Sequence, residues 1–333
     1  MIIDHQAHWY PPAYLEALRN RSDYPRSSRA DDGGYMLETD PGQVWPVPPR
    51  FVDLELQIQD MDEHGIDAMV VSPGAFGGDS SGLPAEEGMA MMRLLNRETA
   101  SAQRRYPTRI AGLAVLPMHD PDAALEALAE AIELGLRGIS LVSNVGQRSI
   151  ARTGTAPVYA AASRAGLPVF LHPAQRSLAA HAGYSPIVEM GLSWMFDTAA
   201  AALALVYEGI LDECEDLVVV HPHLGGVLPY VVERVAAQAR LVESRARHPL
   251  AHYLTTRFYT DSVGLSAAAL RLAVDTYGAE RVLFGTDFPW LDRRNSLDFV
   301  AAAVDEPTSH AILERNTLPG LRWAAERASA RPR

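Results

Sequence analysis

The sequence predicts a (β/α)8 barrel, and two observations carry that prediction. Short β-rich runs recur eight times along the 333 residues, and a longer Ala/Leu/Glu-rich stretch with helical spacing follows most of them. Strands alternating with helices imply parallel βαβ units, and eight such units close most naturally into a barrel. A doubly wound open sheet is the structural alternative.

The runs begin with IIDHQAHW (from Ile2), DAMVVSP (from Asp67), RIAGLAVLP (from Arg109) and LRGISLVS (from Leu136). They continue with LPVFLHP (from Leu167), LVVVHPHLGG (from Leu217), RFYTDS (from Arg257) and RVLFGTDFPW (from Arg281). The intervening DPDAALEALAEAIELG is typical of the connections. Its Leu125, Leu128 and Ile132 fall on one helical face, and Asp120 followed by Pro121 reads as an N-cap and first helical residue. One stretch breaks the rhythm. Residues 19–50, rich in Arg, Asp, Gly and Pro, read as an insertion after the first strand, with a hairpin around Asp40-Pro41-Gly42. Leaving from the C-terminal end of a strand, it should overhang the barrel mouth. One domain over residues 1–327 is expected, with 328–333 as a frayed tail.

Composition narrows the function. Apolar residues make up 48% and charged residues 21%, as in a soluble globular protein. A net charge of −12 argues against nucleic acid or an anionic membrane as partner, since both require clustered basic residues. The single cysteine, Cys214, excludes an intrachain disulfide. With no basic-then-apolar leader and no apolar run near the length of a membrane span, a cytoplasmic location is expected.

In a barrel of this kind catalytic groups sit at the C-terminal ends of the strands. Strand one ends at His8, strand five at His172, strand six at His223 and strand eight at Asp287. One such histidine is ordinarily a capped loop residue, but four groups converging on one mouth resemble a divalent metal site with a nearby acid/base. Alternation along strand one puts Asp4, Gln6 and His8 on one face and His5 on the other, toward the helices, unless a bulge shifts the register. The same alternation puts His221 on the face of His223, one layer deeper. There it is either a buried, hydrogen-bonded core histidine or a partner that supports the metal site.

These motifs, with QIQDMDEHGIDAMVVSP, AGLAVLPMHDPDAAL, PVYAAASRAGLPVFLHP, FYTDS and the Tyr-Pro-Pro after strand one, resemble the amidohydrolase superfamily. The likeness is to the branch of 2-amino-3-carboxymuconate-6-semialdehyde decarboxylase and related aromatic acid decarboxylases. The resemblance implies metal ligands at positions 6 and 8, at His172 and at Asp287, with His223 as the acid/base beside the metal; His223 or Asp287 is expected to supply the catalytic proton. Where the family carries His or Glu, this chain has Gln6, whose amide oxygen is a weaker donor and leaves the ion one charge more positive than Glu would. One divalent ion is implied, with zinc expected and manganese the alternative. Arg234 matches a family arginine that reaches the site of a neighbouring subunit, which implies a homodimer. Arg50 is a second candidate for the substrate carboxylate, and Trp9, Trp194, Phe288 and Trp290 line the pocket or pack beneath it.

The expected reaction is non-oxidative decarboxylation of an aromatic or unsaturated acid. The same apparatus can activate water, so a hydrolase, hydratase or dehydrative cyclase is the rival. A weakened barrel kept as a binding partner is a third reading, with Gln6 marking a lost metal.

Overall fold

The structure, a computed structural model, describes residues 1–152, 154–180, 183–318 and 321, so the expected tail at 328–333 lies outside the described residues. Eight parallel strands run β1 (Ile3–His8), β2 (Ala68–Ser72), β3 (Ile110–Val115), β4 (Gly138–Val142), β5 (Val169–His172), β6 (Val219–His221), β7 (Phe258–Asp261) and β8 (Val282–Leu283). They pair in that order. Closure is made just beyond the paired part of β8, where His5 N–H donates to Phe284 O (2.8 Å), Asp287 N–H to Gln6 O (2.8 Å) and His8 N–H to Phe288 O (2.7 Å).

Side chains sort into two layers. Ile3, Val70, Leu113, Phe170, Val220 and Leu283 fill the barrel, while Met69, Ile139, Val169, Val219 and Phe258 face the helices. In the Pro121–Glu133 helix, Asp120 caps the N-terminus by accepting from Asp122 N (3.1 Å) and Ala123 N (3.2 Å). Its buried face is Ala124, Ala127, Leu128 and Ala131; the expected Ile132 is 43% exposed. Small alanines let this helix sit close to the sheet, and that displaces the stripe by one position.

Strand one departs from simple alternation. Asp4 pairs with Met69 but Ala7 with Val71, so β1 holds one extra residue, a β-bulge. The bulge separates residues expected to share a face. Asp4 turns outward to Arg293 of the Arg293–Ala303 helix, whereas Gln6 and His8 both reach the mouth. His5 is not directed at the helices: its ring lines a small cavity inside the barrel with Val70, Phe170 and Val220. Its Nδ1 bonds Phe284 O (3.0 Å), and burial lowers its pKa to about 4.

The insertion folds as a three-stranded antiparallel sheet (Arg26–Arg29, Tyr35–Asp40, Gln43–Val47), with Asp40 opposite Gln43 at the turn. Tyr35, Leu37 and Val47 pack it onto Tyr10, Leu18 and Phe76. Arg176, beyond β5, donates to Asp40 Oδ2 (3.0 Å) and ties the hairpin tip across the mouth. One continuous helical stretch, Pro186–Tyr207, has a mean hydropathy of 1.3 and is long enough to cross a membrane by length and composition. Here it packs beside the mouth, with Asp197, Ala202 and Leu205 buried and Asp197 accepting from Asn144 Nδ2 (2.8 Å).

Candidate metal and acid–base site

Three donor atoms meet where β1, β5 and the segment after β8 end. His8, His172 and Asp287 each place one ligand atom within 4.8 Å of the others. His8 Nε2 lies 2.8 Å from Asp287 Oδ1 and 3.3 Å from His172 Nε2. His172 Nδ1 donates to Pro173 O (2.9 Å), and His8 Nδ1 faces Ser72 O (3.4 Å). His8 Nε2 faces the Asp287 carboxylate and His172 Nε2 faces His8 Nε2, so a cation between them would take one donor atom from each of the three side chains. Gly74 lies against this cluster with φ +60°. A Cβ there would come within 3.0 Å of His8 Nδ1 and 3.4 Å of His172 Nε2. The residues present fit a divalent ion with three protein ligands and an open position.

Electrostatics agree with that reading. Burial, reinforced by His8, lowers the His172 pKa to about 3, so it is a neutral ligand. Burial opposes ionisation of Asp287, but the hydrogen bonds and charges of His223 and His8 outweigh it and hold the carboxyl well below the usual range. Asp287 itself sits at φ +58°, a costly backbone for a residue with a side chain.

His223 stands beside the cluster, its Nε2 3.9 Å from Asp287 Oδ2. Burial disfavours its cation, yet the hydrogen bond and charge of Asp287, with Asp261, raise its pKa. Its position depends on Asp261, at the end of β7. Asp261 Oδ1 accepts from His223 N (2.8 Å) and Val263 N (3.0 Å), pinning His223 and Leu224 in left-handed backbone at φ 56° and 58°. Burial pushes the Asp261 carboxyl up to about 7.

Gln6 joins these groups. Its Nε2 donates to Asp287 Oδ1 (3.3 Å) and lies 3.2 Å from His223 Nε2; its oxygen would face the ion, or accept from a protonated His223, only after the amide turns over. His221 does not join. It points away from the barrel, its Nδ1 3.0 Å from the Tyr277 hydroxyl, and burial lowers its pKa to about 3. It is not one layer below His223, because the chain leaves strand geometry at Pro222 and alternation no longer relates the two.

Above the donors lies a cavity of about 530 Å3 that includes His172, His223 and Asp287 in its wall. Trp194 and Trp290 line it. Trp9 does not: its indole donates to Val52 O (2.9 Å) beneath the insertion. Phe288 is buried under the Arg293 guanidinium, 3.8 Å from ring centroid to Cζ. Arg50 is exposed, with its guanidinium 6.0 Å from the Phe51 ring, and Phe51 in turn packs on Trp290 (4.8 Å). Arg234 is exposed on the Leu228–Gln238 helix, outside this pocket. Sequence reasoning missed Tyr10, Trp45, Phe76, Met190 and Met195, all in the wall. Tyr10 and Phe76 follow the ends of strands one and two, and Trp45 lies in the insertion, so position could have flagged these three. Nothing in the sequence marks the two methionines.

A sequence-family profile described as Amidohydrolase matches residues 3–318. The chain belongs to the amidohydrolase family. It is 29% identical over 301 residues to gamma-resorcylate decarboxylase of Rhodococcus jostii, covering 83% of this chain and 89% of that one. Among solved structures it is similar to IDCase of Metarhizium anisopliae (TM-score 0.81, 23% identity, 97% of each chain). It is also similar to a dihydroxybenzoic acid decarboxylase from Polaromonas, solved with bound manganese and the inhibitor 2-nitroresorcinol (TM-score 0.78, 22% identity, 96% of each chain).

Proposed function

We propose that this amidohydrolase-family protein is a metal-dependent, non-oxidative decarboxylase of aromatic carboxylic acids. The observation that carries the reading is the convergence of His8 Nε2, His172 Nε2 and Asp287 Oδ1 on one point, set beside a separate histidine with a raised pKa. The decarboxylases it is similar to, one of them with bound manganese, support the same chemistry.

His8, His172 and Asp287 would hold one divalent ion, zinc or manganese, with Gln6 as a further donor if its amide turns. When bound, the ion supplies positive charge that holds the substrate carboxylate or the oxygen next to it and favours charge build-up on the ring. His223, kept in place by Asp261, delivers a proton to the ring carbon that bears the carboxylate. The C–C bond then breaks, its electron pair returns to the ring, and carbon dioxide leaves. A positioned acid contributes about 10²–10⁴-fold. Asp287 shares in this step by setting the proton affinity of His223. The aromatic wall would pack against the ring and keep water from it.

The reading extends to a cytoplasmic homodimer. Arg234, exposed near the equally exposed Tyr230, would reach the pocket of a second copy and orient the carboxylate there. Arg50, one ring removed from the wall, would act on the approaching anion. Neither nucleic acid nor membrane is proposed as a partner. Product analysis with the metal-loaded protein and 2,6-dihydroxybenzoate or salicylate tests the reading. Carbon dioxide and the matching phenol are expected; hydrolysis or hydration products without carbon dioxide would replace it with the water-activating alternative.

A further inference from the structure

The pocket is larger than a single aromatic ring needs, and much of its lining is apolar. A cavity of about 150 Å3 holds a benzene ring, and this one is about 530 Å3. Its ionisable imidazole and carboxylate groups, His172, His223 and Asp287, all stand at strand ends, at the metal end of the space. The rest of the wall includes the apolar Phe76, Met190, Met195, Val263 and Leu291, with the exposed Leu265 at its edge. Among the described residues no arginine lines the cavity, and the chain contains no lysine at all. A second carboxylate placed against these apolar side chains would lose water with no cation of this chain's own wall opposite it, which is unfavourable.

Away from the imidazole and carboxylate groups, the hydrogen-bonding side chains of the wall are neutral aromatic ones. The Trp45 indole is already spent on Thr39 Oγ1 (3.1 Å), whereas Trp194 Nε1 is buried with no partner. With Tyr10 and Trp290 also in the lining, the wall offers a few neutral donors, suited to phenolic or ether oxygens, and no cation of its own. Met190 and Met195 add unbranched thioethers, which adapt to apolar shapes and favour contact with aromatic rings.

We infer that the ligand is a monocarboxylic aromatic acid larger than one ring, with its carboxylate at the metal end and a fused ring or apolar substituent filling the far end. The inference rests on the decarboxylase reading for the placement of the carboxylate; the size and apolar lining stand on the cavity alone.

The test is a titration of metal-loaded protein with three acids: a hydroxynaphthoate, salicylate and 4-hydroxyisophthalate. Quenching of the pocket tryptophans reports binding, and calorimetry checks it. The hydroxynaphthoate should bind at least about tenfold more tightly than salicylate, because its second ring buries several more carbons. The dicarboxylate should bind more weakly than salicylate. Leu265 is 85% exposed and lines the cavity, so Leu265→Arg supplies a cation with little risk to folding. That variant should raise dicarboxylate affinity selectively. The inference is overturned if the wild-type protein binds the dicarboxylate as tightly as the naphthoate, if salicylate matches the naphthoate, or if none of the three binds at millimolar concentration. Tight naphthoate binding without carbon dioxide from any acid would remove the decarboxylase reading and keep the pocket assignment. Carbon dioxide from salicylate with no preference for the naphthoate would do the reverse.

Discussion

Arg293 joins the fold to the site, and replacing it with methionine should loosen both. The guanidinium is fully buried, with Nη1 2.9 Å from Asp60 Oδ1 and 3.0 Å from Gln57 O, and Nε 3.5 Å from Asp4 Oδ2. Asp4, also fully buried, accepts from Gln6 N (3.2 Å), Thr286 N (3.0 Å) and Thr286 Oγ1 (2.5 Å). It thus clamps the bulge of β1 to the residue before Asp287. Burial raises the Asp4 pKa and Arg293 works against that rise, so the arginine is the charge that permits a carboxylate here. Removing one partner of a buried pair costs about 3–5 kcal/mol. Asp4 can escape part of this by taking a proton, so we expect the lower end, about 3 kcal/mol. At about 2.1 cal/mol/K per residue, the 333 residues give an unfolding entropy near 0.7 kcal/mol/K, and the melting temperature should fall by about 4 °C. Calorimetry reads the loss, and metal titration should show affinity weakened by about tenfold as the Thr286–Asp287 segment relaxes. Asp4→Asn combined with Arg293→Met should recover part of the stability by removing the stranded charge. A loss below about 1 kcal/mol in the single variant, or a double variant worse than the sum of both singles, would refute the reasoning.

Gln6→Glu should tighten metal binding, measured by competition with a chelator, because a carboxylate replaces a neutral amide; activity should fall as the added charge blunts the ion. If affinity is unchanged, Gln6 acts only through its hydrogen bonds to Asp287 and His223. His223→Ala should retain its metal, and mixing it with Arg234→Ala should restore partial activity through hybrid sites. No recovery despite proven subunit exchange would confine each site to one chain. His221 is held neutral by burial, with a pKa lowered to about 3 from the ordinary 6.5. In that window the unfolded chain binds a proton that the native state refuses, so stability present above pH 6.5 is lost as pH falls toward 3. His221→Gln should flatten the pH dependence of denaturant-derived stability by up to about 1.4 kcal/mol per pH unit; an unchanged slope would mean that His221 already titrates in the folded protein.

The eight strands and the residues that end them were legible because both follow from periodicity and punctuation: apolar runs broken by His-Pro, Thr-Asp or Gly-Gly. Less legible was anything that depends on a local break in that periodicity. The bulge in β1 has no marker in IIDHQAH, so Asp4 and His5 were expected on the wrong sides; the cause is pairing with the strand-eight segment, a contact nearly 280 residues distant. His221 was misplaced for the same reason, since Pro222 ends the alternation that seemed to connect it with His223. Asp261 is visible in FYTDS, but its grip on the His223 amide is a backbone contact that no spacing reveals. The pocket wall draws Met190 and Trp194 from a helical segment outside the strand rhythm, where composition cannot separate lining from packing.

The most direct measurement is a joint titration of metal and turnover. Protein stripped with a chelator is given zinc or manganese in steps while bound metal and carbon dioxide release from an aromatic acid are recorded on the same samples. The account predicts that release rises in proportion to bound metal and levels off at one ion per chain, and that His172→Ala and Asp287→Ala neither bind the ion nor release gas. Carbon dioxide release from fully stripped protein, or one ion bound per chain with no release from any aromatic acid, would contradict it.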